Sequence, residues 1–311
     1  MLNSPPDLRL GDGIGLGIDA GGTQTRWALA ARDGGILAEG TVAGLSALQM
    51  STPDGRASVH ASFAELARAV LVHGRPARVR AGLTGFGGDG AQLQRWTADL
   101  LGIAPDAVAI CNDIDIAYRA SFAPGEGYLV YAGTGSIGAF IDADGQFHRA
   151  GGRGVVLDDG GGGFWIARAA LRHIWRNEDE HPGGWVDSPM AHAVFAHVGG
   201  SDWAFSRQFI YGQERGEVGK LALAVAATCE QDPAAGAILL EAGRELARLA
   251  HALIRRFGPR PVVLSGRAAE LHPSIAAAMR AALPAGTGLT QAATRAHHAA
   301  ARLAALDCPP N

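Results

Sequence analysis

Ile14-Gly15-Leu16-Gly17-Ile18-Asp19-Ala20-Gly21-Gly22-Thr23-Gln24-Thr25-Arg26-Trp27-Ala28-Leu29 decides the fold. Ile14, Leu16 and Ile18 alternate with Gly15 and Gly17, the period of a strand. Gly21-Gly22-Thr23-Gln24 reads as a turn, and Trp27 and Leu29 carry a return strand to the turn signal Asp33-Gly34. A third strand is expected from Ile36 to Val42. The same wording returns downstream. Ala20-Gly21-Gly22-Thr23 with Asp33-Gly34 is echoed by Ala132-Gly133-Thr134-Gly135 with Asp144-Gly145, the Ala-Gly pairs 112 positions apart and the Asp-Gly pairs 111. Leu83-Thr84-Gly85 is echoed by Leu264-Ser265-Gly266. Internal duplication is the economical explanation.

Between these signals, patterning predicts helices over 58–73, 92–101 and 115–121, and strands over 79–83, 107–111, 128–132, 137–141 and 261–264. From Phe164 onward it predicts a mainly helical stretch: 164–175, 186–198, 203–209, 220–230, 233–257, 273–282 and a last helix over 290–306. A chain of 311 residues with 48% apolar and 18% charged residues is long enough for two cores. A net charge of −3 offers no general attraction for nucleic acid or an acidic membrane. No apolar run is long enough to span a bilayer, and residues 1–13 lack the apolar core of a signal peptide. Cys111, Cys229 and Cys308 are distant from one another and form no Cys-x-x-Cys pair, which fits a reducing, cytoplasmic setting.

Lys220 is the only lysine, and Leu221 follows it. A P-loop needs Gly-Lys-Ser/Thr, so that mode of triphosphate binding is excluded. Gly133-Thr134-Gly135-Ser136-Ile137-Gly138 matches G-x-G-x-x-G, but the strand-like residues after it disfavour a dinucleotide fold, which needs a helix there. Backbone N–H groups at tight turns form anion-binding concavities. Either glycine-rich turn alone reads as an ordinary hairpin. Together, with hydroxyls from Thr23, Thr25, Thr134 and Ser136, they suit a polyphosphate gripped without lysine. Asn112-Asp113 ends a strand, where the aspartate is either a helix cap or a catalytic carboxylate. Arg153 reads equally as an ion-pair partner or a ligand contact. Asp115 reads as facing away from the site, Asp158 as solvated or capping, Glu178-Asp179-Glu180-His181 as a solvated loop rather than a metal site, and His297-His298 as adjacent histidines pointing apart on an alanine-rich helix.

These motifs, in this order, resemble the sugar-kinase/actin/heat-shock-chaperone superfamily. Gly17 to Thr25 is similar to its first phosphate loop, Tyr131 to Ser136 to its second, Asn112-Asp113 to its catalytic segment, and Val262 to Arg267 to its adenosine loop. Within it the chain resembles the BadF/BadG/BcrA/BcrD-type ATPases, which include N-acetylglucosamine kinase and bacterial glucosamine kinase. Gly151-Gly152-Arg153-Gly154, Asp159 and Gly162-Gly163 are similar to their sugar-side loop.

The resemblance implies an α/β protein of two actin-like, ribonuclease H-like domains with mixed sheets flanked by helices. The domains would be residues 1–122, with the helix at 290–307 packing back on them, and 123–289, the nucleotide lying in the cleft between. It implies an amino-sugar kinase using ATP and Mg²⁺, with no nucleic-acid or membrane partner and with a homodimer left open. Asp113 would be the base on the sugar 6-hydroxyl. Gly21, Gly22, Thr23, Thr25, Gly133, Thr134, Gly135, Ser136, Gly266 and Arg267 would bind ATP. Gly152, Arg153 and Asp159 would meet the sugar, and Asp19 would hold Mg²⁺ through water. An ATPase activator of a radical dehydratase and a non-catalytic sugar sensor are the alternatives. Three departures stand out: Leu48 lies where the N-acetylglucosamine kinases place an asparagine, Asp159-Gly160-Gly161-Gly162 replaces Asp-Glu-Gly-Ser, and no Gly-Ala opens the last helix.

Overall fold

The computed structural model describes residues 13–22 and 24–308, which divide into two compact units. The first comprises residues up to Ser121 together with Thr294 onward, and the second runs from Phe122 to Ala293.

Unit 1 is built on five strands: β1 (Gly15–Ala20), β2 (Gln24–Ala30), β3 (Ile36–Ala43), β4 (Arg78–Leu83) and β5 (Val108–Asn112), in the order β3-β2-β1-β4-β5. β1, β2 and β3 form an antiparallel meander, while β4 and β5 run parallel to β1. Helices α1 (Pro53–Leu71) and α2 (Ala91–Leu101) follow β3 and β4, and α3 (Asp113–Arg119) follows β5. α1 starts at Pro53, five residues before the expected position, because Thr52 accepts a hydrogen bond from Gly55 N and the proline occupies the first turn. Alternation sorts β1 by face. Leu16, Ile18 and Ala20, with Trp27 and Leu29 of β2, join Val59, Phe63, Leu66 and Val70 of α1 in the core.

Unit 2 repeats the wiring: β6 (Tyr128–Ala132), β7 (Ser136–Ile141), β8 (Phe147–Gly151), β9 (Val262–Ser265) and β10 (Leu289–Gln291), in the order β10-β9-β6-β7-β8. Its helices are α4 (Gly163–Glu180), α5 (Pro189–Val198), α6 (Trp203–Gly212), α7 (Arg215–Gly219), α8 (Leu221–Ala227), α9 (Pro233–Phe257) and α10 (Pro273–Ala282). Two elements correct the sequence reading. β8 was not expected beyond the Asp144-Gly145 turn, and β10 occupies the start of the expected 290–306 helix. Both are edge strands, and β10 is fixed by parallel pairing with β9, a long-range contact with no local signature. Residues 176–180, beyond the end of the expected 164–175 helix and with 178–180 expected as loop, complete α4, and Glu178 Oε1 accepts from Gly183 N at 2.8 Å.

The final helix, α11 (Ala296–Leu306), covers the second face of the unit 1 sheet. Gly15 and Gly17 make this packing possible. A Cβ on Gly15 would overlap Ala305 N and Ala301 O, and one on Gly17 would overlap His297 O and Ala301 N. The helix backbone therefore rests directly on the strand, and Ala28 and Ala30 pack against Ala301 and Ala305. Among the described residues no helix is long and apolar enough to cross a membrane.

Candidate functional site

In unit 1 the strand ends bring carboxylates together. Asp19 is the next residue after Gly15 and Gly17 on the α11 face of β1. Its register neighbour on β4 is Gly82, whose neighbour on β5 is Cys111. Gly82 carries no side chain into this space, and a Cβ there would approach Asp113 Cα to 3.0 Å. Burial, followed by the nearby Asp113 charge, pushes the Asp19 carboxyl up to about 6, with Arg26 opposing. No hydrogen-bond partner holds Asp19 among the described residues.

Asp113 is the first residue of α3, and its neighbour Asn112 is the cap. Asn112 Oδ1 accepts from Ile114 N at 3.0 Å, and its Nδ2 donates to Phe86 O at 3.0 Å. The Asp113 carboxylate accepts from Ile114 N at 3.0 Å and from the Thr84 hydroxyl in a short hydrogen bond. Burial raises its proton affinity, while the Thr84 and Ile114 donors pull it back. The result is a desolvated carboxylate with raised proton affinity, held in a fixed orientation by two donors. Thr84 had no role in the sequence reading beyond its place in the Leu83-Thr84-Gly85 echo, because its contact lies 29 residues away.

The first glycine-rich turn is closed by Gly21 N donating to Gln24 O at 3.1 Å. Gly22 is exposed, with open space where a Cβ would point. Thr23 lies outside the described residues. Thr25 is fully buried on the α1 face, its hydroxyl without a partner among the described residues.

In unit 2 the second turn is braced from below. Gly163 N donates to Gly133 O at 2.8 Å and Phe164 N to Thr134 O at 3.0 Å, so the first turn of α4 carries the 133–135 loop. Ser136 is buried and its hydroxyl donates to Gly160 O at 2.7 Å, which commits it to the loop rather than to a ligand. Of the three expected donor hydroxyls among the described residues, that of Thr134 is on an exposed residue. Asp159 holds the only left-handed backbone among the described non-glycine residues, φ 56°. Its side chain accepts from Gly154 N at 3.1 Å and lies so close to Gly135 that a Cβ there would overlap its carboxylate. Arg153 is exposed and buttresses Asp159 through its backbone N–H. Gly152 takes φ 62° and sends its N–H to Ser136 O at 3.1 Å. Gly266, at φ 101°, sits against Ala132 too closely for any side chain, and Arg267 beside it is exposed. Thus Gly133, Thr134, Gly135, Gly152, Asp159 and Gly266 form one connected cluster. Sequence reading missed Gly219, whose absent side chain leaves room beside Phe164 N and Thr134.

Asp115 pairs with Arg119 at 2.8 Å and Asp158 with Arg248 at 2.8 Å, both structural. Lys220 pairs with Glu217 at 2.5 Å. Burial, then the Asp115 charge, pushes the Cys111 thiol up to about 12, which keeps it protonated.

No curated protein sequence matches the chain. Solved structures do. A candidate N-acetylglucosamine kinase from Chromobacterium violaceum is 25% identical, with TM-score 0.66 over 94% of this chain and 98% of that one. A second, from Porphyromonas gingivalis, is 18% identical with TM-score 0.73 over 94% and 99%. A ROK family glucokinase from Streptomyces griseus, solved with glucose and AMPPNP, is 17% identical with TM-score 0.62 over 93% and 98%. They share the fold of two mixed sheets flanked by helices. Residues 16–283, most of the chain, match a single family throughout, and the protein is a member of the BadF/BadG/BcrA/BcrD ATPase family.

Proposed function

We propose that the protein transfers the γ-phosphoryl group of ATP to the 6-hydroxyl of an amino sugar, glucosamine or N-acetylglucosamine. The observation that carries this reading is the buried Asp113 carboxylate, oriented by Thr84 and Ile114 N. A carboxylate so placed accepts the hydroxyl proton as the new O–P bond forms. The rest of phosphoryl transfer is positioning and charge neutralisation. The turns at residues 21–23 and 133–136 serve the phosphates, with Gly21 N and Gly133 N closing the turns on Gln24 O and Gly135 O and the N–H groups of Gly22, Thr134 and Gly135 facing the ligand, and Gly266 and Arg267 serve the adenosine. Gly152, Arg153 and Asp159 serve the sugar.

Asp19 fits a hydrated Mg²⁺: it is a hard oxygen donor, buried, and without a protein hydrogen bond among the described residues. Mg²⁺ bound there neutralises phosphate charge. Asp19 holds the ion's water shell, Asp113 handles the proton, and the turns fix the phosphates.

The test is a coupled ADP-release assay with glucosamine, N-acetylglucosamine, N-acetylmannosamine and glucose as acceptors. An amino sugar is expected to stimulate ADP release well above the sugar-free rate, and above the glucose rate. Equal rates with and without every sugar would overturn the reading.

A further inference from the structure

A second group of chemistry-bearing side chains lies in unit 1, and the proposed phosphoryl transfer does not use it. Gly17, Ala28 and Glu39 pair in sequence across β1, β2 and β3, so they form one row on the face covered by α11. The His297 backbone lies on Gly17 at one end of that row. Glu39 stands at the other end, and the rings of His297 and His298 meet there. Adjacent positions on a helix are 100° apart, which is why the sequence reading sent the two rings in different directions. Both imidazoles instead converge on a carboxylate at the sheet edge. Their centroids are 4.4 Å apart at an interplanar angle of 70°. His297 Nε2 lies 3.6 Å from Glu39 Oε2, and His298 Nε2 contacts the same oxygen at hydrogen-bond range. Both histidines are over nine-tenths buried, at 8% and 7% exposure, while the glutamate is half exposed.

We propose that Glu39, His297 and His298 form a binding site for a divalent transition-metal ion of the zinc class. Two imidazole nitrogens and one carboxylate oxygen, with the remaining position open to water, are a donor set that tetrahedral Zn²⁺ accepts. Ligand atoms around such an ion lie roughly 3.3 Å apart, and the two nitrogens already bracket that spacing around one carboxylate oxygen. All three donor atoms lie within 4.8 Å of one another. Imidazole donors separate this site from the oxygen-only preference of Mg²⁺. With each ring's proton on Nδ1, both Nε2 lone pairs face the Glu39 carboxylate, and a cation between them is held by all three donors. Because α11 and β3 already hold both rings, little ordering remains to be done on binding. Arg26 and Arg295 add nearby positive charge and keep the affinity moderate. The ion would clamp α11 to the edge strand of the sheet.

The other cluster of this kind, Cys229, Glu230 and His272, is committed elsewhere. His272 Nδ1 caps α10 by accepting from Ser274 N at 3.2 Å, and it also lies 2.9 Å from Ser274 Oγ. It therefore serves as a control.

The experiment titrates chelator-treated full-length protein with Zn²⁺ by calorimetry and thermal denaturation, and with Co²⁺ by visible absorption. One Zn²⁺ per chain, a raised Tm and ligand-field bands from Co²⁺ are expected. Glu39→Gln, isosteric and half exposed, and His298→Gln are each expected to weaken Zn²⁺ binding at least about tenfold and to abolish the Tm rise. Cys229→Ser is expected to leave binding unchanged. Absence of stoichiometric binding, binding that survives both Glu39→Gln and His298→Gln, or loss in Cys229→Ser would each overturn the proposal. None of these outcomes depends on sugar phosphorylation, so failure here is distinguishable from failure of the kinase reading.

Discussion

Set side by side, the two sheets share a wiring and differ in what they carry at the strand ends. β3-β2-β1-β4-β5 and β8-β7-β6-β9-β10 have the same sequence of antiparallel and parallel neighbours. The hairpins differ by one residue: Ala20 pairs with Thr25 across residues 21–24, whereas Ala132 pairs with Ser136 across 133–135. That is the offset between 112 and 111 in the sequence repeat. The later echo is out of step. Leu83 pairs with Ala20 but Leu264 with Val130, a slip of two that keeps side chains on their faces. Asp19 of β1 corresponds to Tyr131 of β6, and no carboxylate follows β10 where Asp113 follows β5. One copy of the frame thus carries the paired acids, while the other carries a glycine cluster ordered by Asp159. The same wiring therefore holds different side chains at its strand ends: carboxylates in unit 1, a loop-ordering aspartate among glycines in unit 2.

The comparison breaks most sharply at Asp113. Asp113→Asn is expected to lower kcat by about 10²–10⁴-fold while the ATP Kd stays within about twofold, read by ADP release and nucleotide titration. Retained turnover would remove the asymmetry between the halves.

Gly17→Ala tests the frame rather than the acids. The added methyl meets the α11 backbone, which has no flexible end to give way. A loss of about 3 kcal/mol or more is expected in chemical denaturation. A stability within about 0.5 kcal/mol of wild type would show that α11 is not seated on β1.

Asp19 carries a pH signature. Its folded-state value of about 6 lies above the ordinary aspartate value of 3.8. Its contribution to stability is therefore fully present below about pH 4 and is lost as pH rises through 6. Asp19→Asn mimics the protonated form. Without Mg²⁺, the variant is expected to match wild type near pH 4 and to gain up to about 3 kcal/mol above pH 7. A constant difference across that range would show that Asp19 is not desolvated.

The two turns give the smallest and most discriminating pair. A Cβ at Gly135 strikes Asp159, whereas one at Gly22 meets nothing. Gly135→Ala is expected to cost about 1–3 kcal/mol of stability. Gly22→Ala is expected to leave the melting curve in place and raise the ATP Kd. An unchanged Kd in Gly22→Ala would remove Gly22 from the phosphate contacts.

Much of the frame was legible because its signals are local. Alternation marked β1, and α9 and α10 began and ended as their proline starts and apolar stripes indicated. What escaped was non-local. The three-residue β10 exists through its pairing with β9, and Thr84 meets Asp113 across 29 residues. In the candidate site, glycine marked both turns, but the burial of two hydroxyls beside them was not legible. Thr25 and Ser136 occupy inward strand positions, a consequence of register that the turn sequence does not contain. His297 and His298 failed a rule of thumb because a partner two strands away drew both rings to one point.

The seating of α11 on Gly15 and Gly17 also bears on synthesis. Unit 2 is one continuous stretch, so every partner it needs has been synthesised once Ala293 is added. Unit 1 has its sheet early, but the cover for one face arrives nearly two hundred residues later than β4 and β5. Until then a glycine-lined groove on a growing chain stands open. The half of the polypeptide made first is therefore the half whose last structural partner is made latest.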